Sequence, residues 1–228
     1  MKQSTSTLSL IILTAGMIFS CGAFAKSTKN AKKNNQKINL SEVLKKYRTT
    51  VLVKMNVVKR VKSELLDKET LYKGQMYLAQ GKFRWDNDIP EKTQIIFDGK
   101  TVWNIQHPPP ELPGPLQIAK AKVDKSTKKQ ILISTILSEN GINENFKIMK
   151  TTQESGDTTY DLEPKGKDLG VTSLKLKTDR HKNISELSYK DDVGNQTAIQ
   201  FSNTEFLKKA QSKLFEYTPP KGAQVTNL

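Results

Sequence analysis

The stretch YKGQMYLAQGKFRW, residues 72–85, decides the fold class. Its first half places Tyr72, Gly74, Met76 and Leu78 at every second position, with lysine, glutamine and tyrosine between them. Its second half continues the pattern, because Phe83 and Trp85 flank an arginine. A period of two is typical of a strand with one apolar face and one face in water. The stretch therefore predicts two half-buried β-strands.

The same alternation recurs along most of the chain. Upstream it covers Val51–Val57, and downstream Asp98-Gly99-Lys100 joins Gln94–Phe97 to Thr101–Gln106, which indicates a hairpin. About ten or eleven antiparallel strands at roughly ten-residue spacing predict a mainly β fold, either a barrel or a strongly curved sheet. The remaining predicted strands are Phe146–Lys150, Thr158–Glu163, Val171–Thr178, Asn183–Lys190, Gln196–Ser202 and a short last one near Leu214–Tyr217.

Two segments have helical periodicity instead. The first, Asn39–Tyr47, begins with a capping residue and has Glu42 three positions later, as in a capping box. The second is Ser126–Asn140, with Gly141 as its predicted end, and it follows a stiff, extended proline loop, Pro108–Pro115. Each helix has one apolar stripe. The stripes are Leu40, Val43, Leu44 and Tyr47 in the first helix and Leu132, Ile133, Ile136 and Leu137 in the second.

The amino terminus predicts export. A mostly apolar segment, Leu8–Phe24, follows Lys2, and Ala23-Phe24-Ala25 fits the site that signal peptidase accepts. We therefore expect residues 1–25 to be a signal peptide that is cleaved after Ala25. Ile18–Cys21 loosely resembles a lipobox, so a lipid anchor on Cys21 stays open as the alternative. Cys21 is the only cysteine, which excludes an intrachain disulfide.

The charge is strongly positive, at +14 over 228 residues. Residues 26–37 combine lysines with polar side chains and have almost no apolar residue, so we expect a disordered basic linker. Residues 38–228 are long enough for one domain with a core of its own. The arginines at positions 48, 60, 84 and 180 are scattered, whereas a nucleic-acid site would need them clustered with stacking aromatics. We therefore expect no nucleic acid among the partners.

Catalytic signals are missing from the sequence. His107 and His181 have no serine or carboxylate in a triad pattern, and no set of residues has metal-ligand spacing or forms a glycine-rich phosphate loop. The carboxylate pairs Asp86/Asp88 and Asp191/Asp192 both lie beside predicted turns. The sequence therefore predicts a protein that is not an enzyme and that binds no metal or cofactor.

Two motifs carry a resemblance to a known family. The first comprises Gly74–Leu78, Gly81–Trp85, Pro90 and Asp98–Trp103, in that order, and the second is the closing stretch Phe215–Val225. Together they resemble the outer-membrane lipoprotein carrier protein (LolA) family over nearly the whole mature chain. The resemblance implies an incomplete antiparallel β-barrel with a helical lid over an apolar cavity. It also implies a monomeric periplasmic chaperone that binds lipoprotein acyl chains, receives them from an inner-membrane ABC transporter and delivers them to an outer-membrane receptor.

Alternation within these motifs gives the predicted lipid-binding residues, for each of which an ordinary core position is the alternative. Family members often place an arginine and a proline before the phenylalanine strand, where the arginine latches the lid, but this chain has Ala79 and Gln80 there. An outer-membrane acceptor anchored by a lipid, or a stress-sensing or binding module of the same fold, are the alternative functions. The predicted lining residues are Met76, Leu78, Phe83, Trp85, Ile95, Phe97, Trp103 and Ile105 on the strands and Leu132, Ile133, Ile136 and Leu137 on the lid.

Overall fold

The computed structural model describes residues 39–123, 131–209 and 213–228, so the predicted signal peptide and linker lie outside the described residues. The described part contains three helices and twelve strands. The helices are α1 (Leu40–Thr49), α2 (Leu132–Leu137) and α3 (Gly141–Asn145). The strands are β1 (Leu52–Lys62), β2 (Glu69–Ala79), β3 (Lys82–Ile89), β4 (Thr93–Phe97), β5 (Thr101–Gln106), β6 (Gln117–Lys122), β7 (Phe146–Glu154), β8 (Asp157–Pro164), β9 (Val171–Thr178), β10 (Ile184–Asp191), β11 (Gln196–Leu207) and β12 (Gln224–Asn227).

The strands form one open, curled sheet. Its order is β12-β6-β5-β4-β3-β2-β1-β11-β10-β9-β8-β7, so β12 and β7 are the two edges and do not pair with each other. Neighbouring strands are antiparallel throughout, apart from β12 and β6, which are parallel. The predicted fold class, an incomplete barrel of antiparallel strands, is confirmed.

Helix α1 forms where its sequence predicts it. Asn39 accepts a hydrogen bond from the Ser41 amide at 3.0 Å and so satisfies one of the free N–H groups of the first turn. The whole predicted stripe of α1 is buried. The helix therefore packs by the face that its 3.6-residue period indicates.

Two strand predictions near the sheet edge are wrong. Leu214–Tyr217 is not a strand, because it begins in a turn and continues as irregular chain. The last strand is β12, which pairs with β6, and the sequence interpretation had no strand at β6. The sequence of β6, QIAKAK, contains alanines and lysines, which are poor strand formers, so its pattern is weak.

The predicted end of the second helix is also wrong. Within the described part, α2 ends at Leu137, and Gly141 begins α3 instead of ending the preceding helix. A side chain at position 141 would lie 1.7 Å from the Thr135 carbonyl oxygen, so glycine is needed there for a close approach of backbone. The first part of the predicted helix, residues 126–130, lies outside the described residues.

The sheet has two apolar faces, each with its own cover. The helix face carries Val53, Met55, Met76 and Leu78, which pack with α1 and α2 in the largest core cluster. The back face is the opposite one, and residues 213–228, the C-terminal segment, cover part of it. Two smaller clusters lie on that face: Ile96, Trp103, Ile105 and Ile118 with Tyr217, and Leu52 and Ala79 with Phe215.

Candidate functional site

The helix face is continuous and apolar at its centre because neighbouring strands bring matching residues together. In the register of β1 and β2, Val53 lies opposite Leu78 and Met55 opposite Met76. In the register of β2 and β3, Leu78 lies opposite Phe83 and Met76 opposite Trp85. Residues opposite each other in an antiparallel pair share a face. These rows therefore give one apolar surface across three strands.

Helix α2 lies on this surface and leaves almost no space beneath it. Ile136 is 1% exposed, and the enclosed cavity below α2 has a volume of about 10 Å³. That volume is at or below what one water molecule needs. The interior is therefore filled by side chains in this conformation. The cavity walls are Tyr47, Met55, Leu78, Ile133, Ile136, Leu176, Ile184, Leu187 and Phe201.

A larger cleft opens beside α2, against the turn between β2 and β3. Its volume is about 260 Å³, and Leu78, Phe83, Ile133 and Leu137 contribute apolar walls. This volume approaches the lower end of the range for small-molecule pockets, about 300 Å³. The cleft and the enclosed cavity share Tyr47, Leu78 and Ile133, so the two spaces adjoin each other along these side chains.

The turn that borders the cleft contains Ala79 and Gln80, the positions at which the resemblance implies an arginine latch. Gln80 and Gly81 both have positive φ, at 41° and 79°, as in the two-residue turns that close β-hairpins. Ala79 and Gln80 line the cleft without the guanidinium that a latch would need. A latch of the kind that the resemblance implies therefore cannot form at Ala79 or Gln80.

A different arginine contacts the end of α2. Arg48, in the last turn of α1, donates a hydrogen bond from Nη1 to the Ser138 carbonyl oxygen at 3.2 Å. Ser138 directly follows α2, and its hydroxyl donates to the Thr135 carbonyl at 2.9 Å. The residue before α2 makes no side-chain cap. The guanidinium of Arg48 is therefore a second donor to this carbonyl, which also accepts from the Gly141 amide at 3.2 Å.

Tyr47 fixes α1 to the sheet. Its hydroxyl accepts a hydrogen bond from the Ile184 amide at 2.8 Å, and its ring packs edge-on against Phe206 with centroids 5.2 Å apart. Burial, the largest cause, raises the pKa of Tyr47 to about 12, while the hydrogen bond from Ile184 opposes this rise. The neutral phenol is therefore part of the folded core.

Most of the predicted lining residues lie on the helix face. They are Met76, Leu78, Phe83, Trp85, Ile95, Phe97, Leu132, Ile133, Ile136 and Leu137, all within the helix-face cluster or packed against it.

Trp103 and Ile105 do not lie on the helix face, so their predicted position is wrong. Both belong to a back-face cluster with Ile96 and Ile118. The cause is the register of the β4–β5 hairpin, which places Trp103 opposite Ile96 and not opposite Ile95. Asp98 sets this register, because its Oδ1 accepts from the amides of Lys100 and Thr101, each at 2.8 Å.

Sequence reasoning missed the half of the cavity wall that β9 to β11 supply. Leu176, Ile184, Leu187 and Phe201 border the enclosed cavity. Their strands were predicted, so the alternation of β9 and β11 could have indicated them. The sequence pattern did not indicate that these strands lie beside β1, because the pairing of β1 with β11 joins distant parts of the chain.

The two motifs of the sequence meet on the back face. Arg84 donates from Nε to both oxygens of Asp86, each at 2.9 Å, and from Nη1 to the Leu214 carbonyl at 3.3 Å. The Trp103 and Tyr217 rings pack with centroids 5.4 Å apart. Asp86 also accepts from Gln94 at 3.0 Å, so its carboxylate has a structural role. The central residue of the Phe-Arg-Trp motif thus holds the C-terminal segment, while its aromatics face the helices.

Membrane-spanning helices and metal clusters are both absent from the part of the chain that the structure describes. No helix within residues 39–123, 131–209 and 213–228 is long and apolar enough to cross a membrane. The same residues contain no group of three or more His, Cys, Asp or Glu side chains placed to hold a metal ion.

Comparison with known proteins identifies the family. The family model of the outer membrane lipoprotein carrier protein LolA matches residues 53–218. The outer-membrane lipoprotein carrier protein of Pseudomonas syringae pv. syringae is 32% identical over 158 residues, and that of Azotobacter vinelandii is 31% identical over 156 residues; each alignment covers 67% of this chain and 70% of the relative. A crystal structure of an uncharacterized conserved protein from Thermus thermophilus aligns with a TM-score of 0.48 at 15% identity, over 82% of this chain and 98% of that one. Since the family model matches well over half of its length, the chain belongs to the LolA family of outer-membrane lipoprotein carriers.

Proposed function

We propose that this protein is a periplasmic carrier that binds the acyl chains of lipoproteins between the helix face and α2. The observation that carries the proposal is the cover of the helix face, a six-residue helix that lies on an apolar sheet and borders an apolar cleft. Family membership supports the same role, because relatives are named as lipoprotein carriers. In the structure described above, α2 lies on the surface where the acyl chains would bind.

The energetics of an exchange suit a carrier. Each methylene of an acyl chain removed from water contributes about 0.8 kcal/mol, so the chains need a shield in the periplasm. When α2 lifts, the buried Ile136 and the partly buried Ile133 lose contacts on the sheet. Full burial of an aliphatic side chain is worth about 1.5–3 kcal/mol, and partial burial is worth less. The free energy lost when α2 leaves the sheet therefore offsets part of the free energy gained when the acyl chains are buried. The net free energy of binding is smaller than the burial of the acyl chains alone would give, so a receptor can remove the ligand.

The proposal includes the route of the protein and its partners. Residues 1–25 direct export and are removed after Ala25, residues 26–37 form a basic linker, and residues 38–228 form the carrier domain. An inner-membrane ABC transporter loads the monomer and an outer-membrane receptor unloads it, without catalysis or a cofactor. The mass of the mature amino terminus tests this route. A mass that includes acylated Cys21 would instead indicate the anchored acceptor.

Site-specific photo-cross-linking tests the binding surface. A photoreactive amino acid replaces Ile133, which lines both the cleft and the enclosed cavity, and lipoprotein adducts are detected after irradiation of cells. Ser173 is the matched control, because it is exposed on β9 on the face opposite the buried Leu174. We expect adducts from position 133 and none from position 173.

Two results would contradict the proposal. One is the absence of lipoprotein adducts at position 133 in a variant that is exported and folded. The other is equal labelling at both positions, which would mean that lipoproteins contact the surface of the carrier without entering beneath α2.

A further inference from the structure

A lysine interrupts the apolar pattern of the helix face. On β1, Val53, Met55 and Val57 are buried and face the helices, and the next position in this alternation is Lys59. In the sheet register Lys59 lies opposite Ile199 of β11, which belongs to the helix-face core, and opposite Tyr72 of β2. The ammonium therefore lies on the same face as the proposed acyl-chain surface.

This lysine is held between aromatic rings. Its Nζ lies 5.2 Å from the ring centroid of Tyr72 and 5.2 Å from that of Trp85, within the range of a cation–π contact. Burial lowers the pKa of the Lys59 ammonium below its usual value. None of the ion pairs between described residues includes Lys59. Within that part of the chain the cation has aromatic neighbours and no carboxylate.

Other polar groups on this part of the face also lack partners among the described residues. Trp85 is 8% exposed, and its buried Nε1 has no acceptor. Asn87 is two positions further along β3 on the same face; its Nδ2 donates to the Thr93 hydroxyl at 3.1 Å and its Oδ1 has no donor. Because a hydroxyl can donate as well as accept, this amide can turn over and present Nδ2 instead. Buried polar groups without partners are uncommon and costly.

We propose that Lys59, with the Trp85 indole N–H and the Asn87 amide, binds the anionic headgroup of an acyl lipid, a carboxylate or a phosphate. The inference rests on the proposed function in one respect, since the tail would lie along the acyl-chain surface. Met55, beneath α2, is four residues from Lys59 on β1, which at about 3.3 Å per residue separates them by roughly 13 Å along the face. The acylated end of a lipoprotein carries amide and ester groups without charge. Lys59 therefore fits a second class of ligand, anionic lipids.

A matched pair of fluorescent probes tests the headgroup site. The probes are dansyl-undecanoic acid and its methyl ester, in which one methyl group replaces the negative charge of the headgroup. Because only the acid presents a charged acceptor to the Lys59 ammonium, we expect the mature protein to bind the acid about tenfold more tightly than the ester. Lys59→Gln should abolish this preference and leave the affinity for the ester unchanged, and Lys59→Arg should retain it. Lys54→Gln is the control, since Lys54 is on the same strand but on the back face.

Competition identifies the source of the anion. We expect decyl phosphate to displace the acid probe at concentrations at which inorganic phosphate does not. Displacement by inorganic phosphate alone would assign the site to a free anion and overturn the lipid assignment. Equal affinity of the wild type for acid and ester, or a preference that survives in Lys59→Gln, would overturn the role of Lys59. If neither probe binds, acyl-chain binding itself fails and the proposed function fails with it, whereas binding of the ester shows that the face is intact.

Discussion

The two faces of the sheet are both apolar and both covered, but their covers are attached differently. On the back face, the C-terminal segment ends in β12, which extends the sheet by pairing with β6, and Arg84 holds the Leu214 carbonyl. On the helix face, α2 has no backbone pairing to the sheet and contacts it through side chains such as Ile133 and Ile136. The first cover is part of the sheet, and the second only lies on it.

This difference teaches which apolar surface can serve a ligand. A strand added to a sheet is held by several backbone hydrogen bonds, so removing it exposes polar as well as apolar groups. A short helix keeps its backbone bonds when it moves, and the loss is limited to side-chain contacts. Both faces are apolar, so the proposed binding surface differs from the back face in how its cover is attached.

The largest expected effect is on the back face. Trp103→Ala removes a ring that is 8% exposed and packs against Tyr217, so we expect the free energy of unfolding to fall by about 3–5 kcal/mol. Urea denaturation measures this loss. By comparison, Ile133→Ala on the helix-face cover should cost about 1 kcal/mol, because Ile133 is only partly buried. Equal losses for the two variants would mean that both covers are fixed to the same degree.

An intermediate effect is expected where α1 meets the sheet. Tyr47→Phe leaves the buried Ile184 amide without its acceptor, which should cost about 1–3 kcal/mol at neutral pH. Thermal or urea unfolding of the two proteins measures the difference. An unchanged stability would show that the Ile184 amide finds another partner, and that α1 is attached as loosely as α2.

The raised pKa of Tyr47 also predicts how the free energy of unfolding depends on pH. Its pKa rises from 10.0 in the unfolded chain to about 12 in the folded protein, so the folded state favours the protonated phenol. The stabilisation is complete below pH 10 and is lost as the pH rises towards 12, by about 3 kcal/mol in total. Tyr47→Phe has no phenol to ionise at position 47, so the stability difference between wild type and variant should shrink over that pH range. A constant difference would contradict the assignment.

The smallest effect on stability is expected at the end of α2. Arg48→Met removes the hydrogen bond to the Ser138 carbonyl and should lower the free energy of unfolding by about 1 kcal/mol or less. Hydrogen exchange of the α2 amides should nevertheless accelerate, because the helix leaves the sheet more often. Lys45→Met, an exposed change on the same helix, is the control. Unchanged exchange in α2 would show that Arg48 does not hold the cover.

The sequence predicted those parts of the fold that depend on local pattern. Alternation found most of the antiparallel strands, and the cap at Asn39 located α1. Asp98 and Gly99 predicted a hairpin, but the register of that hairpin, and hence the face of Trp103, depends on the geometry of the turn. A shift of one residue sends every side chain to the other face. Alternation therefore identified the two faces of β5, but the assignment of Trp103 and Ile105 to the helix face was wrong.

Long-range features could not be predicted in this way. The weak β6 is a strand because β5 and β12 pair with its two sides, and its own residues scarcely require it. Lys59 was overlooked because a lysine within a strand usually indicates a solvent-facing position, and only the register with Tyr72 and Ile199 assigns it to the helix face. The volume beneath α2 depends on how side chains from distant strands interdigitate, which periodicity does not encode.

The parallel pair of β6 and β12 has a consequence for biogenesis. It joins a strand from the middle of the chain to one near its end, and such distant pairings form late because their loop entropy is lost before contacts compensate for it. The back face around Trp103 therefore stays partly uncovered until the C-terminal segment has paired with β6. A chain that lacks β12 would leave apolar side chains such as Ile118 exposed, so we expect such a chain to aggregate more readily.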